Sequence, residues 1–261
     1  MSSGEGAEEA AVERPTPMKL ACASSSLHRD FESGDLTQLE FLDLCARELA
    51  CDGVVLDVRH FPRTDDDYLA QVKKMAADRG LTIAALADAA FFTSGRDGVG
   101  DVLRQAVALG APLVAAPLAR EVDSSWTDQL ARLNVATSIA KAANVTLAVR
   151  NAPETFAAAA HDFKRVAKEA DSAWLRFGPE PLRLEANVDR VALEPNTVLL
   201  WSAIDAHDDR SIEETIAAFS GFRGHLALDR HDGAASAGEL KEALHRWRRA
   251  LAQREEMLDR R

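Results

Sequence analysis

The sequence predicts a (β/α)8 barrel, also called a TIM barrel, for nearly the whole chain. From Lys19 onward, a short apolar run, a turn and an amphipathic helical segment follow one another about eight times. Tight hairpins join antiparallel strands, whereas a helical crossover joins parallel strands. Consecutive strands separated by helices are therefore expected to run parallel. Eight units of roughly 30 residues are enough to close such a barrel. We therefore expect one barrel domain over residues 18–261, with any active site at the C-terminal ends of its strands.

The predicted strands are short apolar runs, rich in small or β-branched residues and bounded by turn residues. They are KLACAS (19–24), VVLDVRH (54–60), LTIAALA (81–87), PLVAAPL (112–118), VTLAVR (145–150), AWLRFG (173–178), TVLLWSAID (197–205) and GHLALD (224–229). Because each run is too short to cross a bilayer, which takes about 20 apolar residues, no membrane segment is expected.

Helical segments lie between these strands and after the last one, with apolar residues at helical spacing. They are predicted at 36–50, 65–79, 98–109, 125–143, 155–170, 187–193, 211–220 and 236–258. Gly80 and Gly110 stand just past two of them, where a left-handed residue commonly ends a helix. Ser236 and Glu239 have the spacing of a capping box at the start of the last helix.

Composition and charge exclude some classes of function. The formal net charge of −11 repels a phosphate backbone, so nucleic acid is not an expected partner. Cys22, Cys45 and Cys51 are an odd number without a C-x-x-C pair, which favours free thiols and a reducing, cytoplasmic setting. Residues 1–17 are acidic and lack the basic and apolar regions of a secretory signal. We expect them to form a disordered tail.

Two segments carry a resemblance to a known family: LAVRNAPET (147–155) and GFRGHLALDRHDG (221–233). With units two to eight, they are similar to the xylose isomerase-like TIM barrel family of sugar phosphate isomerases and epimerases. The resemblance implies a metal enzyme in which a Glu followed by Asn ends strand five, an Asp ends strand six, a His precedes a Lys-Asp pair on strand seven, and a Glu ends strand eight. These ligands would hold Mg²⁺ or Mn²⁺ and leave positions for two substrate oxygens.

The chain departs from this family pattern at several ligand positions. Arg150 stands at the strand-five Glu, Asn151 is retained, and Gly178 falls at the strand-six Asp. Asp229 replaces the strand-eight Glu with a side chain one methylene shorter. We therefore expect a degenerate site with no metal at the family position and no required cofactor; Mn²⁺ or Mg²⁺ is the alternative.

On strand seven, Ser202 matches the family His and Ile204 the Lys, whereas Asp205 is retained from the Lys-Asp pair. The alignment of strands six and seven with the family pattern is undetermined to within one or two residues. An alternative metal site is Asp57, His207, Asp229 and His231, with His60 and Asp205 nearby, since carboxylate and imidazole ligands suit Mn, Fe or Zn. Loop aspartates and histidines are also common simply because loops are solvated.

Candidate roles follow from position and charge. The candidate catalytic acids and bases are Asp57, Asp205 and Asp229, and the candidate ligand-binding residues are Arg150, Asn151, Arg176 and His231. Two interpretations of Arg150 are open. Its guanidinium either replaces the charge of the metal and binds an anionic or polyhydroxylated ligand, or it forms a structural ion-pair network with the remaining aspartates.

Three functional hypotheses of different class remain. The first is a divergent sugar phosphate isomerase/epimerase-like protein that acts on, or binds, a small carbohydrate-like or anionic ligand. The second is a noncatalytic pseudoenzyme that binds a ligand or serves as the structural partner of an active paralogue; a homo-oligomer is also open. The third, a metal-dependent abasic-site endonuclease, is disfavoured by the acidic charge and the missing ligands. The sequence leaves open whether the protein is an enzyme.

Overall fold

The computed structural model describes residues 18–184, 187–204 and 208–259. Residues 1–17, predicted to be a disordered tail, lie outside these ranges, as do Asp205 and His207. No helix in the described ranges is both long and apolar enough to cross a membrane.

Within these ranges, eight parallel strands form one sheet. They are β1 (Lys19–Ala23), β2 (Gly53–Asp57), β3 (Thr82–Ala87), β4 (Leu113–Pro117), β5 (Thr146–Arg150), β6 (Leu175–Phe177), β7 (Leu199–Ala203) and β8 (His225–Asp229). Each lies within or at the edge of its predicted run. The second run is shorter than predicted, because the Asp57 carboxylate accepts the Arg59 N–H at 2.9 Å. This contact turns residues Val58–His60 into a 3-10 turn.

Helices connect the strands on the outside of the sheet. In the described part of the chain they are α1 (His28–Ser33), α2 (Gln38–Arg47), α3 (Asp66–Asp78), α4 (Arg96–Leu109), α5 (Trp126–Ala143), α6 (Ala160–Ala170), α7 (Asn187–Leu193), α8 (Asp209–Ala218) and α9 (Ala237–Asp259). The helical turn α1 was not predicted. Gly80 and Gly110 have the expected left-handed conformation, with φ of +71° and +74°. The capping box is confirmed: the Ser236 N–H donates to the Glu239 carboxylate, and the Glu239 N–H donates to the Ser236 hydroxyl.

The sheet closes into a barrel. The strand order is β6-β5-β4-β3-β2-β1-β8-β7, with consecutive strands adjacent and β8 beside β1. The two end strands meet through a parallel bridge between Phe177 and Thr197. Across the same junction, the Val198 N–H donates to the Phe177 carbonyl and the Trp201 N–H to the Pro179 carbonyl, both at 2.9 Å. The predicted (β/α)8 barrel is therefore confirmed.

The barrel interior is unusually rich in alanine. The buried interior side chains are Ala21, Ala23, Val55, Ala84, Ala85, Ala115, Ala148, Leu199, Trp201 and Ala227. Alternate residues of each strand point outward and pack with larger Leu, Val and Phe side chains against the helices. Small interior side chains leave space at the centre for the indole of Trp201, which is only 1% exposed. The floor of the barrel mouth is therefore set by one large aromatic ring.

We expect the Ala148→Leu variant to lose about 1–3 kcal/mol of unfolding free energy, because added methylene groups would overpack this interior. Ala148 is fully buried. The matched control is Ala77→Leu on the exposed face of α3, which should be close to neutral. Urea denaturation measures both. Equal losses in the two variants would show that the interior tolerates larger side chains.

Candidate functional site

A cavity of about 300 Å³ opens at the C-terminal ends of the strands, where the barrel fold predicts a site. Its lining includes four arginines, four aspartates and two histidines. These are Arg59, Arg150, Arg183, Arg230, Asp57, Asp88, Asp229, Asp232, His28 and His231. The formal charges of the arginines and aspartates cancel. The charges of these lining arginines and aspartates are therefore balanced, although the chain as a whole carries −11.

Arg150, the last residue of β5, lies at the centre of this cavity. Its Nη1 donates to Asp229 Oδ2 at 2.7 Å, and its Nη2 donates to Glu180 Oε2 at 3.1 Å. The guanidinium also lies over the Trp201 ring, 4.0 Å from the ring centroid. Burial alone would lower the pKa of Arg150, but the two carboxylates outweigh burial and raise it. The contacts of the structural ion-pair network are thus present, and the same side chain also faces the cavity.

Glu180 holds the second carboxylate of this cluster, and sequence reasoning missed it. The side chain is 2% exposed and receives hydrogen bonds from Arg150, from Arg183 Nε at 3.0 Å and from His231 Nε2 at 3.2 Å. Burial would raise its pKa, but the His231 hydrogen bond and the charges of Arg150 and Arg183 lower it to about 2. Glu180 is therefore ionised at neutral pH.

The backbone of Glu180 is fixed by Asn151. The Glu180 N–H donates to Asn151 Oδ1 at 2.7 Å, and Asn151 Nδ2 donates to the Glu180 carbonyl at 3.3 Å. The strand-six alignment placed the expected acid at Gly178, whereas the chain brings a carboxylate into the site two residues later. The open alignment of strand six, by one or two residues, was the signal that could have found Glu180.

The predicted catalytic carboxylates Asp57 and Asp229 both line the cavity and are both ion-paired. Asp229, the last residue of β8, accepts the Ser25 hydroxyl at 2.8 Å as well as the Arg150 guanidinium. Asp57, the last residue of β2, accepts Arg59 Nε at 3.0 Å and Arg59 Nη2 at 2.6 Å. Burial would raise the pKa of Asp57, but the hydrogen bonds and charge of Arg59 lower it. Both carboxylates thus stabilise arginines.

Asp88 is different, and sequence reasoning also missed it. It follows β3 directly, lines the cavity and is half-buried. Its Oδ1 accepts the Ala90 N–H at 2.9 Å, and it has no ion pair among the residues in the described ranges. Burial raises the pKa of Asp88, and the nearby charge of Asp57 adds to this effect. Of the cavity carboxylates, Asp88 is therefore the one best suited to exchange a proton.

A chain of hydrogen bonds links His28, which lines the cavity, to His60 and Ser24, which do not. His28 Nδ1 lies 2.9 Å from His60 Nε2, and His60 Nδ1 lies 2.8 Å from the Ser24 hydroxyl. The Ser24 hydroxyl also accepts the Asp57 N–H at 2.9 Å. Burial lowers the pKa of His60 to about 4, more than offsetting the opposing effect of the Asp57 charge. His60 is therefore neutral at physiological pH.

The residues present fit a divalent metal poorly. No group of three or more His, Cys, Asp or Glu side chains in the described ranges is arranged to hold an ion. The carboxylates of Asp229 and Glu180 are bridged by the Arg150 guanidinium, whose positive charge repels a cation. A Cβ added at Gly178 would lie 3.4 Å from the Trp201 indole nitrogen, so the ring already occupies the space beside that position.

The alternative metal set is only partly brought together. Asp57, Asp229 and His231 line the same cavity, but their closest contacts are to Arg59, Arg150 and Glu180, respectively. His207, its fourth member, lies outside the described residues.

Two further placements differ from expectation. Arg176 pairs in the sheet with Ala148, two residues before Arg150 on β5, so it stands one layer below the cavity and does not line it. Strand alternation carries no information on depth along the barrel axis. Ser202 and Ile204 are buried and also lie outside the cavity lining.

We expect Glu180→Gln to lose about 3 kcal/mol at neutral pH, because it leaves buried positive charge uncompensated. The folded pKa of Glu180, about 2, lies below the ordinary value of 4.5. The contribution of Glu180 to the free energy of unfolding is thus complete above its ordinary pKa. This contribution is lost as the pH falls toward the pKa of Glu180 in the folded protein. The difference between wild type and variant should shrink between about pH 5 and about pH 3.

Urea denaturation across this pH range measures the effect. The control is Glu154→Gln, whose exposed carboxylate pairs with Arg120 on the surface and should contribute almost nothing. A difference that stays constant with pH would contradict a depressed pKa at Glu180.

Comparison with solved structures shows the same fold. The D-psicose 3-epimerase of Clostridium cellulolyticum H10, determined with D-tagatose, has a TM-score of 0.73 at 14% identity and covers 90% of this chain and 99% of its own. An L-ribulose 3-epimerase has a TM-score of 0.71 at 14% identity, covering 92% and 98%. The probable 3-DHS dehydratase AsbF of Bacillus anthracis, involved in petrobactin synthesis, has a TM-score of 0.70 at 13% identity, covering 87% and 98%.

Sequence comparison provides the family. No curated protein sequence is a significant match. The family model described as xylose isomerase-like TIM barrel matches residues 45–181, just over half of the 261 residues. This match agrees with the closed eight-stranded barrel, with the site at its C-terminal mouth and with the resemblance of the solved structures. The chain belongs to the xylose isomerase-like TIM barrel family.

Proposed function

We propose that the protein is a divergent sugar phosphate isomerase/epimerase-like member of its family that binds a small carbohydrate-like ligand at a degenerate metal site. Arg150 supplies the central positive charge in place of a divalent ion. The observation that carries this proposal is the position of its guanidinium, between the carboxylates of Asp229 and Glu180 and above the Trp201 ring.

The balance of charge in the cavity supports a neutral, polyhydroxylated ligand. Arginine donors and aspartate acceptors both line a space of about 300 Å³, which suits a ligand of one sugar ring. Each sugar hydroxyl both donates and accepts, so it can use both kinds of group. The resemblance to a D-psicose 3-epimerase determined with D-tagatose agrees with this ligand class.

The same geometry offers groups for the first half of an epimerisation, the removal of the proton beside a carbonyl. This step requires a base for the carbon-bound proton and a donor for the oxygen that becomes negative, and inversion is completed when water returns a proton to the opposite face of the same carbon. We assign the base to Asp88, because its carboxylate lines the cavity, has no ion pair with any residue in the described ranges and has a raised pKa. The remaining guanidinium donors of Arg150 would stabilise the oxygen. Asp57 and Asp229, the earlier candidates, then act by positioning Arg59 and Arg150.

The noncatalytic alternative is favoured by one observation. Asp57 and Asp229 are both held in ion pairs, so neither is available to take a proton without losing its partner. In that case the cavity binds a ligand without turnover.

Deuterium exchange distinguishes an active epimerase from a protein that binds the ligand without turnover. We expect the protein, incubated in D2O with D-psicose, D-tagatose, D-fructose or L-ribulose, to exchange the hydrogen beside the carbonyl of at least one ketose, as measured by proton NMR. Asp88→Asn should slow this exchange by at least about 100-fold, because it removes the base. Ketose binding, followed by the shift in Tm, should persist in the variant.

The control is Asp123→Asn, an exposed loop aspartate outside the cavity, which should exchange at the wild-type rate. Binding without exchange in the wild type would favour the noncatalytic reading. Neither binding nor exchange with any of the four ketoses would contradict the proposed function.

Metal titration tests the role of Arg150. We expect no stoichiometric Mn²⁺ binding to the wild type by calorimetry at millimolar metal. Arg150→Glu places a third carboxylate beside Asp229 and Glu180, and should bind Mn²⁺ at least about tenfold more tightly than Arg150→Gln, which removes the charge without adding a ligand. Tight Mn²⁺ binding to the wild type, or no gain in a folded Arg150→Glu variant, would refute this assignment.

A further inference from the structure

A second cavity, of about 460 Å³, lies beside the barrel mouth and extends it toward α1 and α2. We call it the outer cavity; its wall includes Phe31, Leu36, Gln38 and Phe61. His28 and Arg59 line both cavities. The two spaces are therefore neighbours across a shared pair of side chains.

Gln38, the first residue of α2, has an unsatisfied amide in the wall of the outer cavity. Its side chain is 1% exposed, and neither its amide nitrogen nor its amide oxygen has a hydrogen-bond partner in the described part of the chain. Buried polar groups almost always have partners. The contrast is Gln129, which is also buried: its Oε1 accepts the Ala119 N–H at 2.7 Å and its Nε2 donates to the Phe92 carbonyl at 3.4 Å.

Two phenylalanine rings, those of Phe31 and Phe61, belong to the same wall. Phe31 is stacked on His60, with centroids 4.0 Å apart and planes 2° apart, and Phe61 is 9% exposed. Rings of this kind offer flat apolar surface to the C–H face of a sugar. An amide with one free donor group and one free acceptor complements a hydroxyl, which also does both.

The charges of the outer cavity argue against a phosphate or a cation. Arg59 already makes a two-point contact with Asp57, and Glu32 lies 3.2 Å from His28 Nε2. Neither sign of charge is in excess. The wall thus combines two phenylalanine rings and paired charged groups with one amide that has no partner in the described ranges, and this combination suits a second neutral ring.

We propose that the outer cavity is a second ring-binding subsite, and that the ligand is a disaccharide whose first sugar occupies the barrel mouth and whose second ring packs beside Phe31 and reaches the Gln38 amide. The proposal rests on the proposed function, because the first ring is the carbohydrate-like ligand assigned to the Arg150 site.

The first test compares D-fructose with glucosyl-fructose isomers that differ only in linkage: sucrose, trehalulose, turanose, maltulose, leucrose and isomaltulose. We expect at least one isomer to bind at least tenfold more tightly than D-fructose, as measured by calorimetry. Phenyl glucosides are included as well. If phenyl glucosides bind more tightly than D-fructose and no disaccharide does, the occupant of the outer cavity is an aromatic group. The proposal of a second sugar ring is then overturned.

The second test uses the Gln38→Leu variant with Gln129→Leu as its matched control. Gln38→Leu should raise the Tm of the free protein, because it removes two unsatisfied buried polar atoms, and it should reduce the disaccharide-to-fructose affinity ratio at least tenfold. Gln129→Leu should lower the Tm, because it breaks two hydrogen bonds, and should leave the ratio unchanged.

The outcomes distinguish failure of this subsite from failure of the proposed function. A wild type that binds D-fructose but gains nothing from any disaccharide overturns the subsite alone. A Gln38→Leu variant that loses as much stability as Gln129→Leu, or keeps the full affinity ratio, also overturns it. If neither fructose nor any disaccharide binds, both the subsite and the proposed function are contradicted.

Discussion

The barrel mouth depends on one interaction, the burial of Arg150 between two carboxylates. A charged group taken out of water loses several kcal/mol of solvation unless partners replace it. Here Asp229 and Glu180 supply the opposite charge, and the Trp201 ring supplies an electron-rich face. These partners come from β8, from the loop after β6 and from β7, so a single side chain on β5 ties together four successive units of the barrel.

Each partner of Arg150 is held in turn by other groups. The Ser25 hydroxyl donates a hydrogen bond to Asp229. The Glu180 carboxylate likewise accepts hydrogen bonds from Arg183 and His231 in addition to that from Arg150. The cluster is thus a preorganised set of charges with little freedom to rearrange. A guanidinium also differs from a metal ion in kind: its donors lie in one plane and it offers no exchangeable coordination position. Under the proposed function, chemistry at this site would rely on hydrogen bonds and proton transfer between protein groups and ligand.

The fold could be predicted from the sequence because strand and helix periods repeat with little interruption. Much of the site could be predicted as well, since strand ends define its address, and Asp229 was correctly named as a possible partner of Arg150. Glu180 was missed because it follows a Gly-Pro pair after the end of β6, where the path of the loop and not strand alternation sets the side-chain direction. Asp88 was missed because a lone acid in a loop has no distinguishing pattern. The unsatisfied amide of Gln38 is a property of packing alone.

The junction between β6 and β7 has a consequence for how this site can vary. β6 has three residues, and the pair closes the barrel through a single bridge and a few loop hydrogen bonds. The chain entering and leaving this junction is less constrained by neighbouring strands than any other part of the ladder. Substitutions there can move an acidic side chain from one position to another without shifting the register of the remaining sheet. The Glu180 carboxylate, beyond the end of β6, therefore stands where loop hydrogen bonds rather than strand pairing set the path of the chain.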